Sequence, residues 1–482
     1  MKIYNDANSN VNYATKTLSS DDVIVVPLKI GKKDGSVIFI SDVVDKMQIS
    51  EFILKPLKEL KKTPRTTKEL SLCFLSPENK QITSLEECVT EIVTGNSILF
   101  CDGFTSAFSF SLKKFEKRAI TEPPTSTVIK GPREGFVESL PVNVSLMRRK
   151  IQSKDLRFIN TSVGKYSSTS IAICYINGIA NPKLVKKLLD KLENIDIDAV
   201  LDSSYVSKLL GEHKRSIFKQ VGNTEKPDIL AAKILEGRVA IFVDGSPIAL
   251  TVPYLLVEDF QSPSDYYSSS YSATIYRLIR VISVVLSLFL PSFYVASELF
   301  HLQFIPLSFL LTIENSIKGI PLSPSYEIFF TLLIFEILNE ASVRMPKYVG
   351  MVVSIVGGLV LGETAVNAGI ISAPTLMIIA FSGICLYTAP ELVQTFSLLR
   401  FLLLIVAGSL GGYGLICMVI FLIIYLVSFE SYETPLCAPF SPLITKDLKD
   451  SVYKNFLIEQ KMRPLSLKNH NRVRLKDTEG DK

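Results

Sequence analysis

The sequence predicts an α/β cytosolic region of two related subdomains followed by an α-helical polytopic membrane domain. Three observations predict it. Tyr276 to Phe429 is dominated by long apolar runs: Leu278–Ser297 carries one charge, Arg280, and Phe401–Phe429 carries none. A helix needs about 20 largely apolar residues to cross a bilayer core, so both runs are long enough. Ahead of this block, short apolar runs alternate with amphipathic stretches and Gly-bearing turns, the pattern of strands and helices. Within that first part, one order of helix, glycine, strand, Asp-Gly and strand occurs twice, which argues for an internal repeat.

Residues 1–20 are polar and rich in Asn and Ser, and are expected to be a mobile lead-in. The first subdomain is placed at 21–117. Ser36–Ser41 reads as a strand, and Ile49, Phe52, Ile53, Leu57 and Leu60 fall at helical spacing. Cys88–Thr94 ends a helix at Gly95, Ser97–Cys101 is a strand, and Asp102-Gly103 turns into its partner, Ala107–Ser111. Proline clusters around Thr121-Glu-Pro-Pro and Gly131-Pro132 mark a linker, 118–165, with a short helix from Val142 to Ile151. The second subdomain, 166–256, repeats the first at an offset of about 140 residues. There Cys174–Asn181 leads into a helix from Pro182 to Leu192, and Ala231–Pro247 repeats the order of 89–106.

The membrane domain occupies 257–440. Tyr266, Tyr267, Tyr271 and Tyr276 supply interfacial aromatics, and Arg277 and Arg280 mark the cytosolic end of the first span. Four full spans with 326–345 as a partial segment are preferred, because the basic tail then lies inside. That tail, 441–482, is expected to be disordered and solvated, with contact to anionic headgroups as the alternative.

Composition excludes several functions. A net charge of +5 over 482 residues is too small to argue for nucleic acid. The seven cysteines are scattered without metal-ligand spacing, as in a reducing compartment, and the three histidines have no partner nearby in sequence. The Gly131, Arg133 and Gly135 loop fits neither a P-loop nor a dinucleotide fingerprint. No catalytic set, cofactor or metal is expected, so the chain is read as no enzyme. The first residues lack an apolar signal region, so the N-terminal region is expected in the cytosol.

Function is therefore sought in the membrane block. Glu327–Met345 is apolar yet carries Glu336, Asn339, Glu340 and Arg344, and four-residue spacing puts Glu336, Glu340 and Arg344 on one stripe. Glu340 and Arg344 are oriented to pair, whereas Glu336 is left without a partner. The helix is either interfacial, with its charges in water, or a polar helix beside a pore. Glu363 and Asn367 form a further polar pair. Ser354, Gly358 and Gly362 make a ridge of small residues suited to close helix packing, and Gly408 and Gly412 make a second.

Several of these stretches together resemble one family, the A subunits of GerA-type spore germinant receptors. They are Thr121-Glu-Pro, Lys130-Gly-Pro-Arg-Glu-Gly-Phe-Val-Glu, Asn143 with Leu146–Arg149, and Asn223-Thr-Glu-Lys-Pro-Asp. Glu236-Gly-Arg-Val-Ala-Ile-Phe-Val-Asp-Gly-Ser-Pro, Gln261-Ser-Pro-Ser-Asp-Tyr-Tyr and Val356-Gly-Gly-Leu-Val-Leu-Gly-Glu complete the set. The resemblance runs from about residue 35 to about residue 440 in a single order. It implies a receptor subunit in the inner membrane of the spore that transmits germinant binding, as an oligomeric ion channel, to start germination. It further implies a transporter-like B subunit and a lipoprotein C subunit as partners. The paralogous stage V sporulation membrane subunit shares most of these motifs, and a stand-alone secondary transporter is the competing class.

Overall fold

The computed structural model describes residues 1–60, 62–76, 79–113 and 130–475, without the side chains at 347, 348, 351–354, 356, 361 and 457. The Thr121-Glu-Pro sequence, linker residues 118–129, the Ser354 side chain and Lys476 lie outside the described residues. The chain forms two units. One comprises Met1–Leu255, Glu430–Thr434 and Leu457–Lys482, the other Leu256–Phe429 and Pro435–Phe456.

The first unit holds two five-stranded antiparallel sheets built to one plan. In the first sheet β1 (Val23–Ile30), β2 (Lys33–Ile40), β3 (Asn79–Ile82), β4 (Ser97–Cys101) and β5 (Ala107–Phe110) lie in the order β1-β2-β4-β5-β3. In the second, β6 (Leu156–Val163), β7 (Thr169–Ile176), β8 (Gly222–Thr224), β9 (Val239–Val243) and β10 (Ala249–Val252) lie in the order β6-β7-β9-β10-β8. The helices of the first are α1 (Ala7–Leu18), α2 (Lys46–Ile49), continuing through a π turn (Ser50–Leu54) into α3 (Lys55–Lys58), α4 (Thr67–Ser71) and α5 (Leu85–Val93). Those of the second are α6 (Leu140–Lys150), α7 (Pro182–Glu193), α8 (Ser203–Leu210) and α9 (Pro227–Leu235). In chain order, α1 leads into β1 as α6 leads into β6, and α5 precedes β4 as α9 precedes β9.

Each sheet is covered on both faces, which is why its central strands read as unbroken apolar runs. Side chains alternate across a strand. Ile38, Ile40, Ile98 and Phe100 pack with α1 and α5, while Val37, Phe39, Leu99 and Cys101 pack with α2 and α3. The second sheet divides in the same way. Ala172, Cys174, Ala240 and Phe242 meet α6 and α9, and Ile171, Ile173, Val239 and Ile241 meet α7 and α8.

This plan corrects three expectations. Residues 1–20 are not a mobile lead-in. Asp6 caps α1 by accepting from the Ser9 N–H at 2.8 Å, and Ala7, Val11, Ala14 and Leu18 are buried in the core. The second subdomain begins before residue 166, because α6 and β6 are its first elements and lie inside the expected linker. Nor is the tail disordered through residue 475. The Arg463 guanidinium donates to the Leu235 carbonyl at 2.7 Å, the Asn469 amide donates to the Glu236 carbonyl, and the His470 N–H donates to the Ile179 carbonyl at 3.3 Å.

The two sheets are joined through β6 and the residues just ahead of β1. Arg148 on α6, 2 % exposed, grips Asp22 side-on, with Nε and Nη2 each 2.8 Å from a carboxylate oxygen. It also donates to the Leu156 carbonyl at 3.1 Å and lies over the Phe158 ring at 4.9 Å. Ser20 and Asp21 continue the joint, since Ser20 Oγ accepts from the Phe158 N–H at 2.8 Å and the Asp21 N–H donates to the Phe158 carbonyl at 3.0 Å. The described end of the linker is fastened as well. The fully buried Lys226 ammonium donates to the Pro132 carbonyl at 2.6 Å, and Arg149 and Lys150 hold Glu134 at 2.5 and 3.0 Å.

The second unit is helical: α10 (Pro263–Tyr267), α11 (Ser270–Phe300), α12 (Leu307–Ile317), α13 (Pro324–Arg344), α14 (Lys347–Asn367), α15 (Ala373–Leu386) and α16 (Val393–Val427). Among the described residues, two helical stretches, Ser270–Phe300 and Pro390–Val427, are long and apolar enough to cross a membrane. At 1.5 Å per residue α13 is about 31 Å long and α15 only about 21 Å, against a hydrocarbon core of about 30 Å. The shorter apolar helices are α12 and α15, and α13, which carries the 326–345 segment, is not one of the two stretches apolar enough to cross. α16 is broken at Gly411, whose φ of 61° and ψ of −148° belong to a region that side chains forbid.

The entry to α11 is tied by charge. Arg277, fully buried, contacts Asp265 Oδ2 at 3.2 Å and Asp450 Oδ1 at 2.9 Å, and donates to the Ser451 carbonyl at 3.0 Å. Arg280 adds a second contact to Asp265 at 3.2 Å, and Lys454 donates to the Asp265 carbonyl at 2.7 Å. Gln261 donates to the Asp450 carbonyl at 2.6 Å, and Tyr266 donates to Asp450 Oδ2 at 3.1 Å. The Gln261–Tyr267 sequence is thus a clamp on the first turns of α11.

Two outcomes follow from the α/β unit. Asp22→Asn leaves the Arg148 guanidinium buried without its counter-charge, and breaking a buried pair on one side costs about 3–5 kcal/mol. Denaturant unfolding of the purified chain should show a loss of that size, and a change below about 1 kcal/mol would remove the pair from the joint. Burial also pushes the Cys88 thiol up to about 12 and the Cys101 thiol up to about 11, and raises Cys174. Since the thiolate is the nucleophile, these three should resist iodoacetamide at pH 8 until the protein is unfolded, as read by mass spectrometry of the alkylated peptides.

Candidate functional site

The polar residues of the helical unit converge on two places in its interior. The first is centred on Arg400 of α16, which is 1 % exposed. Its Nη1 lies 3.6 Å from Glu336 Oε1 on α13, and its Nη2 donates to Ser382 Oγ on α15 at 2.7 Å. Tyr387, just past α15, adjoins Glu336, Arg400 and Asn339. Three helices are therefore cross-linked by one guanidinium. Its Nε and Nη1 have no hydrogen-bond partner among the described residues, so the Glu336 contact is chiefly coulombic.

Glu336 is accordingly not partnerless, as its own helix suggests. Its counter-charge stands on α16, and periodicity along one helix cannot reveal a partner on another. Glu340 and Arg344 do pair, at 2.5 Å, on a surface where their side chains are 64 % and 78 % exposed. Glu363 and Asn367 are exposed on α14 and take no part in the interior cluster.

The small-residue ridges separate into different roles. A methyl group built on Gly408 would lie 2.7 Å from Ser325 Oγ, and one on Gly412 would lie 2.9 Å from His301 Nε2. That ridge packs within the chain. Gly362 faces Leu376 of α15 at 3.2 Å, but a methyl group on Gly358 would meet nothing within 4 Å among the described residues. The free part of the ridge is thus Gly358, beside the exposed Ile355 and Leu359.

The second place was not anticipated from the sequence. Glu327 on α13 is 1 % exposed, and its Oε1 accepts from the Ser372 N–H at 2.6 Å and the Ser372 hydroxyl at 2.7 Å. Ser372 is the N-cap of α15, so the carboxylate sits at the positive end of that helix. Thr375 Oγ1 lies 3.0 Å from Ser372 Oγ. On α11, the Tyr294 hydroxyl adjoins the Glu298 carboxyl and Thr375, with Glu327 close enough to act on both Tyr294 and Glu298. The available signal was Ser372 ahead of Ala-Pro-Thr, a helix start within an uncharged run.

Comparisons with known proteins match this chain over nearly its whole length. The family model described as Bacillus/Clostridium GerA spore germination protein matches residues 11–466. Spore germination protein KA of Bacillus subtilis (strain 168) is 37 % identical over 468 residues, 95 % of this chain and 85 % of that protein. Spore germination protein GerLA of Bacillus cereus is 33 % identical over 420 residues, 86 % of this chain and 85 % of that one. The uncharacterized membrane protein YfkQ of Bacillus subtilis (strain 168) is 33 % identical over 426 residues, covering 86 % and 82 %. Among solved structures, the N-terminal domain of the A subunit of the Bacillus megaterium spore germinant receptor GerK3 is 28 % identical, with a TM-score of 0.43. It covers 53 % of this chain and 98 % of that domain.

The Arg400 cluster generates a contrast between two neighbouring glutamates. Glu336→Gln should reduce accumulation and stability of the full chain by about 3–5 kcal/mol, because it strands Arg400. Glu340→Gln breaks only an exposed pair and should cost less than about 1 kcal/mol. Adding Arg400→Met to Glu336→Gln should restore accumulation, measured by quantitative immunoblot of membranes. Equal behaviour of the two single variants would show that Arg400 does not depend on Glu336.

Proposed function

We propose that this chain, which belongs to the Bacillus/Clostridium GerA family of spore germination proteins, is a membrane subunit of a germinant receptor that converts germinant binding into ion release as an oligomeric channel. The relatives named as spore germination proteins support the role in germination. In this reading the helical unit lies in the inner membrane of the spore and the α/β unit in the cytosol. A transporter-like B subunit and a lipoprotein C subunit complete the receptor. Glu336, Glu340, Arg344, Glu363 and Asn367 are the polar groups available to conduction or signalling.

The observation that carries the reading is how the helical unit distributes its polarity. Charge is gathered inward at Arg400 and Glu336, whereas α14 turns Ile355, Gly358 and Leu359 outward with nothing among the described residues against Gly358. An apolar surface around a bare glycine suits close approach of a helix from another copy, since packing rather than hydrophobicity drives association in lipid. A ring assembled through such contacts leaves the remaining polar positions to line its axis.

Gly358→Leu tests this. No described side chain stands in the way, so the variant should accumulate as well as the parent. Native mass spectrometry of the detergent-extracted protein should show the oligomer lost, and germinant-triggered rise in medium conductivity should fall with it in spores. An unchanged oligomer with normal ion release would place Gly358 against lipid and remove the argument for assembly through α14.

A further inference from the structure

A carboxylate withdrawn from water inside an apolar helical unit has to be neutralised, by a cationic side chain, a proton or a bound ion. Glu327 is such a group. Its Oε1 is engaged by both donors of Ser372, but its Oε2 is buried and has no hydrogen-bond partner among the described residues. Glu298 Oε2 is in the same position. Among the described residues neither carboxylate is paired with a Lys or Arg; the one charged group bearing on Glu298 is Glu327 itself.

We propose that Glu327, Glu298, Tyr294 and Thr375 form a binding site for a monovalent alkali cation between α11, α13 and α15. The donor set fixes the class of ligand. Every side chain offers oxygen, and none offers sulfur or imidazole, which favours hard cations over zinc or copper. Two neighbouring carboxylates with no Lys or Arg paired to them among the described residues keep one proton between them, so together they present a single charge, and the hydroxyls of Tyr294 and Thr375 supply neutral oxygens. Calcium takes 6–8 oxygens, usually from several carboxylates, and magnesium retains water in a strict octahedron, so both fit less well.

Location supports the assignment. Glu298 lies in the last turn of α11, the end at which carbonyl dipoles favour positive charge. Phe300, at that same helix end, stands against the break in α16, since a methyl group on Gly411 would lie 2.8 Å from its ring. Helix ends and interrupted helices are where membrane proteins hold alkali ions. Glu298 is half-buried while Glu327 is closed off, which makes Glu298 the outer ligand and Glu327 the inner one. The site does not depend on the chain conducting ions, because a resident cation stabilises the fold whether or not one passes through.

Occupancy is read from the thermal midpoint of the full chain in detergent at fixed pH. NaCl and KCl are titrated against N-methylglucamine chloride at constant ionic strength. A ligand that binds the folded state raises the midpoint saturably. The parent should show such a rise with one of the two salts, and Glu327→Gln should abolish it. Tyr294→Phe, which removes one ligand oxygen and little volume, should raise the half-saturating concentration about fivefold. Glu340→Gln should respond like the parent. Two results would overturn the site: no difference between either salt and N-methylglucamine, or an undiminished rise in both Glu327→Gln and Tyr294→Phe.

Discussion

An arginine that leaves water must take its counter-charge along, and this chain obeys that constraint at each of its main joints. Its three largest fully buried side chains are Arg148, Arg277 and Arg400. Arg148 binds the two sheets through Asp22, Arg277 binds the start of α11 to Asp265 and Asp450, and Arg400 draws α13 and α15 onto α16. Guanidinium suits the task because its fixed fork of donors can serve several acceptors at once while keeping its charge. Hydrophobic burial supplies most of the driving force, yet it is indifferent to register. The paired charges specify which elements meet.

The same constraint explains what could be read from the sequence. The repeat was legible because α5 and α9, with the strands after them, follow helix and strand periods and end in Gly and Asp-Gly turns. Its first elements were not. α1 is rich in Asn and Thr, and β6, Leu-Arg-Phe-Ile-Asn-Thr-Ser-Val, carries Asn-Thr-Ser in its second half, so neither stands out as an apolar run. The tail looked solvated because it is basic. Its order comes from Arg463 and Asn469 donating to main-chain carbonyls, bonds that leave no mark on composition. In the helical unit, the Glu340–Arg344 pair was legible as a local spacing, while the Glu336–Arg400 pair was invisible because it joins different helices.

Several of the motifs that carry the family resemblance fall at these joints. Asn143 clamps the Val137 main chain with two bonds, Lys226 holds the Pro132 carbonyl, and Arg148 holds Asp22. Gln261, Asp265 and Tyr266 form the clamp on α11. In the α/β unit and at the start of α11, these signature residues specify how elements are fastened and supply no reacting group. On the proposed function such contacts have a further use, because a signal passes between elements only if their coupling is firm.

Firmness is not uniform among the three arginines. Arg148 uses all three of its nitrogens in hydrogen bonds at 2.8–3.1 Å, and Arg277 is gripped by two carboxylates and two carbonyls. Arg400 has one hydrogen bond, to Ser382, and an ion pair at 3.6 Å, with Nε and Nη1 unbonded among the described residues. A rearrangement at Arg400 therefore sacrifices fewer bonds than one at either of the others. α16, which bears Arg400, is also the helix broken at Gly411, where a run of hydrogen bonds is already interrupted. The least hydrogen-bonded of the three buried arginines and the break at Gly411 thus lie on the same helix, α16.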